Sequence, residues 1–190
     1  MSELKELAAE AKHELLTHII PFWRGMRDDK FGGYYGYLSY DLALDEKAEK
    51  GCILNSRITW FFANAYLLYK DGGISEEECE AAGFKGEDLL AEAKHGYEFL
   101  RDHCIDKEYG GIFWSLNYDG TPLDTTKHTY NQAFCIYALS SYYDAAGDKE
   151  ALELAFSLFD IIEEHCTDAV SLRALIDGKT CKEENGTWVR

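Results

Sequence analysis

The chain repeats itself, and that repeat constrains its fold more than any other feature. One copy reads FGGYYGYLSYDLALDEKAEKG from Phe31 to Gly51 and continues into the apolar stretch ITWFFANAYLLYKDGG from Ile58 to Gly73. The second reads YGGIFWSLNYDGTPLDTTKH from Tyr109 to His128 and continues into NQAFCIYALSSYYDAAGD from Asn131 to Asp148. An amphipathic stretch precedes each copy, over about Leu4 to Arg27 and about Glu87 to Cys104. The unit is therefore helix, aromatic Gly-Gly loop, helix, with a period of roughly 75 residues.

Helices are predicted from period. Leu89, Ala93, Tyr97 and Leu100 recur at three- and four-residue steps, as do Leu152, Ala155, Phe156, Phe159 and Ile162. Asp148 caps the last of these helices after a stop at Gly147. Ile58 to Tyr69 is apolar nearly all round, the pattern of a buried inner helix. Alternating aromatics beside Gly32-Gly33 and Gly110-Gly111 (Tyr35, Tyr37, Phe113) predict short hairpin strands. A third unit begins at about Leu152 and reaches EEHCTD, like RDHCID at Arg101 to Asp106. No aromatic Gly-Gly loop follows, and Ser171 to Arg190 holds no matching inner helix. Two and a half stacked units predict an exposed apolar edge, a partner that covers it, or marginal stability.

The 190 residues fit one domain, and the formal charge of −16 argues against nucleic acid and anionic membranes. A neutral ligand, or one held by a local cation, suits the chain better. Aromatics make up 14% of residues, and their faces stack on flat apolar ligands such as sugar rings. The six cysteines lack metal-type spacing and are expected to be free thiols of a cytoplasmic protein. No signal peptide is visible at the N-terminus, and Trp60 to Tyr69 is too short to span a bilayer. Glu76 to Glu80 has no nearby histidine and no calcium-loop pattern, so a solvated helix turn is expected there.

Five motifs in order carry a resemblance: HIIPFW (His18 to Trp23), FGGYYGYLSYD, Asn55-Ser56-Arg57, YGGIFW and KHTYNQAF (Lys127 to Phe134). From about Glu14 to about Cys166 the chain resembles the N-terminal half of sugar 2-epimerases of the N-acylglucosamine and cellobiose type. The resemblance implies an all-α fold: an incomplete (α/α)6 barrel, about five helices of a twelve-helix toroid, with short β-hairpin loops. Residues 1–190 would form this partial domain, with 167–190 an atypical tail. It implies epimerisation at C2 of a reducing-end glucose unit to mannose, through a cis-enediolate, without cofactor or metal. One histidine removes the C2 proton and another returns a proton on the opposite face. Neither matches any of the six histidines here, which are His13, His18, His95, His103, His128 and His165. The chain alone is thus expected to be inactive, its partners being a mono- or oligosaccharide and either a C-terminal half or a second copy.

By motif position, Arg57 matches an arginine near the sugar oxygens, where a fixed cationic fork stabilises enediolate charge. Tyr130 matches a sugar-binding tyrosine and Phe134 an aromatic wall, with Trp114 and Asn131 at the cavity rim. Other roles stand beside these. Arg57, at the start of an apolar helix, also suits a surface ion pair or a helix-end contact. Tyr130 and Phe134, four apart on one face, also suit the core. Aligning Phe134 with Phe61 and Tyr130 with Arg57 would use the same inner-helix face twice. His128 suits a structural bond to the loop better than catalysis, and Lys127 a solvated surface. Three functions remain: a carbohydrate epimerase completed by residues absent here, a non-catalytic helical repeat that binds sugar or a partner, and a truncated product.

Overall fold

A computed structural model describes residues 3–166 and two short strands, Lys182–Glu183 and Gly186–Val189. Helix α1 (Glu3–Glu14) passes through a π-type turn (Leu15–Ile19) into α2 (Ile20–Gly25). Pro21 in the first turn of α2 has no N–H to give, and the wider turn lies just before it. Then follow α3 (Cys52–Lys70), α4 (Glu76–Ala81), α5 (Gly86–Phe99) with a second π-type turn (Leu100–Cys104), α6 (Thr129–Ala146) and α7 (Lys149–His165). The expected acidic helix turn is α4, closed by a capping box between Ser75 and Glu78. Asp148 caps α7 as its position predicts, and Gly147 ends α6 in the left-handed conformation.

Helix α3 lies at the centre, against α5 on one side and α6 on the other, and α6 packs in turn on α7. Its buried residues (Cys52, Ile58, Phe62, Ala63, Tyr66) share one half of the helix, whereas Ile53, Leu54, Trp60 and Phe61 on the other half are only half-buried and Arg57 is exposed, so the burial on every side that its apolar composition suggests is not reached. Gly96 sets the approach of α5, because a Cβ there would lie 2.2 Å from Thr59 Oγ1. At the other end of the array, Phe156 and Phe159 of α7 are exposed, as an unclosed stack of helices requires. No helix among the described residues is long and apolar enough to cross a membrane.

Two small sheets tie the loops. Strands β1 (Lys50–Gly51), β2 (Ser115–Leu116) and β3 (Pro122–Asp124) pair antiparallel in that order, joining the loop of one repeat to the loop of the other. Strand β6 (Gly186–Val189) lies parallel to β4 (Lys127–His128) and antiparallel to β5 (Lys182–Glu183). Most of the tail 167–190, and with it the expectation that no third inner helix follows, falls outside the described residues.

The repeat is visible bond for bond. Asp28 accepts the N–H groups of Lys30 and Phe31, and Asp106 those of Glu108 and Tyr109. Lys50 Nζ lies 2.6 Å from Asp28, and Lys127 Nζ lies 2.6 Å from Asp106. Asn55 accepts the N–H of Tyr34, and Gln132 that of Ile112. Each Gly-Gly loop is thus locked by a buried lysine–aspartate pair and by an amide from the helix that follows. Burial pushes each carboxyl up, but the lysine hydrogen bond and two backbone donors outweigh it, so Asp28 and Asp106 titrate below the usual carboxylate range.

Three expectations are corrected here. Lys127 is not a solvated surface residue: it is 1% exposed, because Asp106 reaches it across the loop. Helix α3 begins at Cys52 rather than Ile58, and α6 at Thr129 rather than Asn131. The earlier start carries the polar pair Asn55-Ser56 into the helix, where the Ser56 and Thr59 hydroxyls bond back to the carbonyls of Cys52 and Asn55. The helical alignment also shifts by one turn. With Asn55 equivalent to Gln132, Arg57 pairs with Phe134 rather than with Tyr130. A one-turn shift keeps the same helix face, so that face is still used twice.

Candidate functional site

Two adjoining hollows open beside the first turns of α3 and α6. The larger, about 730 Å³, is lined by Gly36, Tyr37, Asp45, Ala48, Glu49, Gly51, Trp114, Ser115 and Tyr130. The smaller, about 390 Å³, is lined by Trp23, Arg57, Ile58, Trp60 and Phe61. Ile53 and Leu54 of α3 belong to both and form the shared wall.

Starting α3 at Cys52 puts Arg57 in the second helical turn, on the less buried half of the helix. Its guanidinium carbon sits 5.7 Å from the centre of the Phe134 ring, a cation–π contact across α3 and α6. No carboxylate among the described residues pairs with it. Phe134 meets Tyr130 edge to face at 4.8 Å. Arg57 and Tyr130 therefore line neighbouring hollows, linked through Phe134 and through the Ile53–Leu54 wall. Among the described residues Arg57 forms no ion pair, and Tyr130, 58% exposed, is not a core residue.

Trp114 lines the larger hollow and packs against the His128 ring at 4.4 Å. The His128 ring thus supports a wall residue, a structural rather than a catalytic place. Asn131 is not on the rim. It is fully buried and donates its amide to the Phe113 carbonyl, one residue before Trp114, while its own side-chain oxygen lacks a hydrogen bond among the described residues. Its place is behind the site, holding the loop that carries Trp114 into β2.

Neither hollow is lined by a histidine. His95 bonds the Gly33 carbonyl and His103 that of Gly120, so both serve the loops. The five described cysteines are buried, and no group of three metal-type side chains among the described residues could hold an ion. The site offers aromatic faces, one cation and two carboxylates, a set suited to holding a polyol. Among the described residues that line it there is no thiol and no imidazole.

Sequence reasoning missed Tyr37, Asp45 and Glu49 on one side and Trp23, Trp60 and Phe61 on the other. One signal for the first set is in the repeat itself. Where the second loop has Trp114 after YGGIF, the first has Gly36 after FGGYY.

Residues 33–177 match the family described as N-acylglucosamine 2-epimerase (GlcNAc 2-epimerase). The chain is 52% identical over 171 residues to a cellobiose 2-epimerase of Ruminococcus albus, covering 90% of this chain and 40% of that protein. Among solved structures, a sugar epimerase from a ruminal bacterium matches with TM-score 0.74 and 54% identity, over 84% of this chain and 37% of the other. Cellobiose 2-epimerase from Bacillus thermoamylovorans B4167 matches with TM-score 0.78 and 38% identity, over 87% and 39%. The chain thus spans about two fifths of the length of these relatives.

Proposed function

The chain belongs to the N-acylglucosamine 2-epimerase family, and we propose that it is part of an (α/α)6 barrel whose inner face binds a glucose or mannose unit at the reducing end of a β-1,4-linked disaccharide. The observation that carries this is Arg57, an exposed cation with no described carboxylate partner, resting on Phe134 in an aromatic hollow of a strongly acidic chain. A neutral ring stacks on such a wall. A guanidinium there donates hydrogen bonds to the sugar oxygens on binding and holds them more strongly once negative charge develops on them during reaction.

The reaction of the whole protein is loss of the C2 proton, formation of a cis-enediolate, and return of a proton to the opposite face. Arg57 stabilises the charge on the enediolate oxygens, Tyr130 hydrogen-bonds a hydroxyl, and Phe134 and Trp114 hold the ring. The proton carriers are imidazoles supplied from outside this chain, in keeping with hollows that no described histidine lines. A second reading, a non-catalytic repeat that binds sugar or a partner chain, draws on that same lack of an imidazole and on the exposed Phe156 and Phe159.

The test is cellobiose in D₂O with the purified chain, followed by NMR. Binding without deuterium at C2 is expected, with affinity reduced at least about tenfold by Arg57→Ala. Turnover by the 190 residues alone would refute the division of labour, and unchanged affinity would remove Arg57 from the site. Addition of the remaining part of a relative decides between the readings: exchange at C2 supports the enzyme, and continued silence the binding module.

A further inference from the structure

We propose that helix α1 is a self-association surface, on which a second copy of this chain lays its own α1 side by side and parallel. This is independent of the sugar-binding reading. None of the 12 residues of α1 is buried. Leu4 is 78% exposed and Leu7 61%. A lone helix of this length is marginal in water, and helices in proteins draw most of their stability from packing an apolar face. The bond from Lys12 Nζ to Glu78 of α4, at 2.7 Å, ties down the C-terminal end of α1, and Leu4 and Leu7 lie beyond it.

The open face has a pattern. Leu4, Leu7, Ala8 and Ala11 recur at three- and four-residue steps and share one stripe. Glu-Leu-Lys at 3–5 and Glu-Ala-Lys at 10–12 repeat seven residues apart. Each puts a carboxylate on one flank of the stripe and an ammonium on the other, because the two neighbours of a helical residue turn about 100° to either side of it. The leucines supply apolar area, and the alanines let two backbones come close. Two such stripes can meet in two ways. Antiparallel, acidic flank meets acidic flank and basic meets basic. Parallel, a two-fold axis along the helices sets each copy's acidic row against the other's basic row. Lys5 then meets the partner's Glu3, and Lys12 lies beside the partner's Glu10, each contact occurring twice. Lys12 keeps Glu78 as well, since an ammonium has three hydrogens to donate.

Charge decides what covers this stripe. The helix is its own complement, so a second copy brings the matching rows with it. The other open edge lacks this property. Glu153, Asp160, Glu163 and Glu164 beside the exposed Phe156 and Phe159 of α7 carry one sign of charge, which repels a second α7 in either direction. The whole chain carries −16, so two bodies repel, and contact is confined to a helix that stands clear of them. Ala9, Lys12 and His13 face α4 across a hollow of about 460 Å³, which puts the body behind the stripe and leaves Leu4 and Leu7 free to meet a partner. A pairing of three turns is small beside the roughly 1,600 Å² of stable complexes, so the dimer is reversible, with a Kd of about 100 µM.

The experiment is sedimentation equilibrium of the full chain from about 10 to about 500 µM, with amide exchange of residues 3–14 followed over the same range. The average mass should climb from 21.6 kDa toward twice that value, and exchange should slow as it does. Lys5→Glu and Glu3→Lys change exposed side chains, so both variants are expected to fold. Each alone sets like charges together across the two-fold axis and should weaken the dimer at least about fivefold. Their equimolar mixture restores opposite charges at every contact and should return to within about twofold of the parent. Leu7→Ser should remove the mass rise, with circular dichroism showing that the fold is kept. A single-copy mass throughout would overturn the proposal, whether residues 3–14 stay open or become protected only when the remaining part of a relative is added. So would a dimer indifferent to Lys5→Glu, a mixture that fails to recover, or a mass rise lost in Phe156→Ser instead, which would move the contact to the α7 edge.

Discussion

Replacing Lys50 by methionine removes the one cation inside the first loop lock. The Lys50 side chain is 0% exposed and donates to Asp28 at 2.6 Å and to the Gly32 carbonyl at 2.7 Å. Methionine preserves much of the stem that packs near the Phe99 and Tyr35 rings, so the packing loss is small. What is lost is charge compensation. Asp28 keeps its two backbone N–H donors and the neighbouring Tyr35 hydroxyl, but its charge loses its cation and the Gly32 carbonyl its lysine donor. Breaking one partner from a buried pair costs about 3–5 kcal/mol at neutral pH. The sign with pH follows from Asp28. Its carboxyl is held low in the folded parent, so the pair contributes fully above the unfolded carboxylate range, near 3.8, and is lost only as pH falls below it. Without Lys50 the burial effect has less to oppose it, and the variant can neutralise Asp28 at a higher pH. The deficit should therefore shrink between pH 7 and pH 4.5. Urea unfolding followed by circular dichroism at both pH values checks this, and Asp28→Asn in the same background should recover most of the loss at pH 7. A deficit under about 1 kcal/mol at pH 7, or one indifferent to both pH and Asp28→Asn, would refute the buried-pair account.

Other outcomes follow from the same contacts. Gly33→Ala should destabilise by about 2–4 kcal/mol in urea melts, since φ is 66° and the new Cβ would lie 2.6 Å from Asn55 Oδ1 and from the Phe99 ring. Gly72→Ala, with φ of 78° but open space around it, should lose only about 1–2 kcal/mol, and equal losses would deny the Phe99 contact. Cys52, Cys104 and Cys135 should resist an aromatic disulfide reagent until the chain unfolds, because burial pushes the thiols of Cys104 and Cys135 far up. Mass-mapped labelling of those three in native buffer would contradict it. Tyr142 should ionise at about 12 in ultraviolet difference titration, chiefly from burial and then from Asp148 and Glu98. Its neutral form supports the fold below the usual tyrosine range near 10, and that support should fade as pH rises through 12. Titration with the exposed tyrosines would refute it.

How much of this was legible varies with the range of the interaction. The five long helices and the Gly-Gly turns follow from local periods and from backbone freedom, which neighbours in sequence decide. Arg57, Tyr130, Phe134 and Trp114 came from motif position; Arg57, Tyr130 and Trp114 line the two adjoining hollows, and Phe134 touches Arg57 and Tyr130 between them. Asn131 came from the same motif and went behind the wall, because one helical position turns its side chain from the cavity to the Phe113 carbonyl. Lys127 was misjudged for a related reason. A lysine's exposure depends on whether a carboxylate meets it, and Asp106 is brought there only by the intervening loop.

The amino-acid order by itself determined a repeated helix–loop–helix unit, an inner helix apolar on every face, and glycines where the chain must take a positive φ. These are properties of segments a few turns long, and no other part of the molecule is needed to fix them. Tertiary structure alone decided the register between the two copies, the burial of Lys50 and Lys127, and the joining of Tyr37 and Glu49 to Trp114 in one hollow. Those depend on pairing energies between residues far apart in the chain, which come into existence only once α3 and α6 lie side by side and bring their loops together.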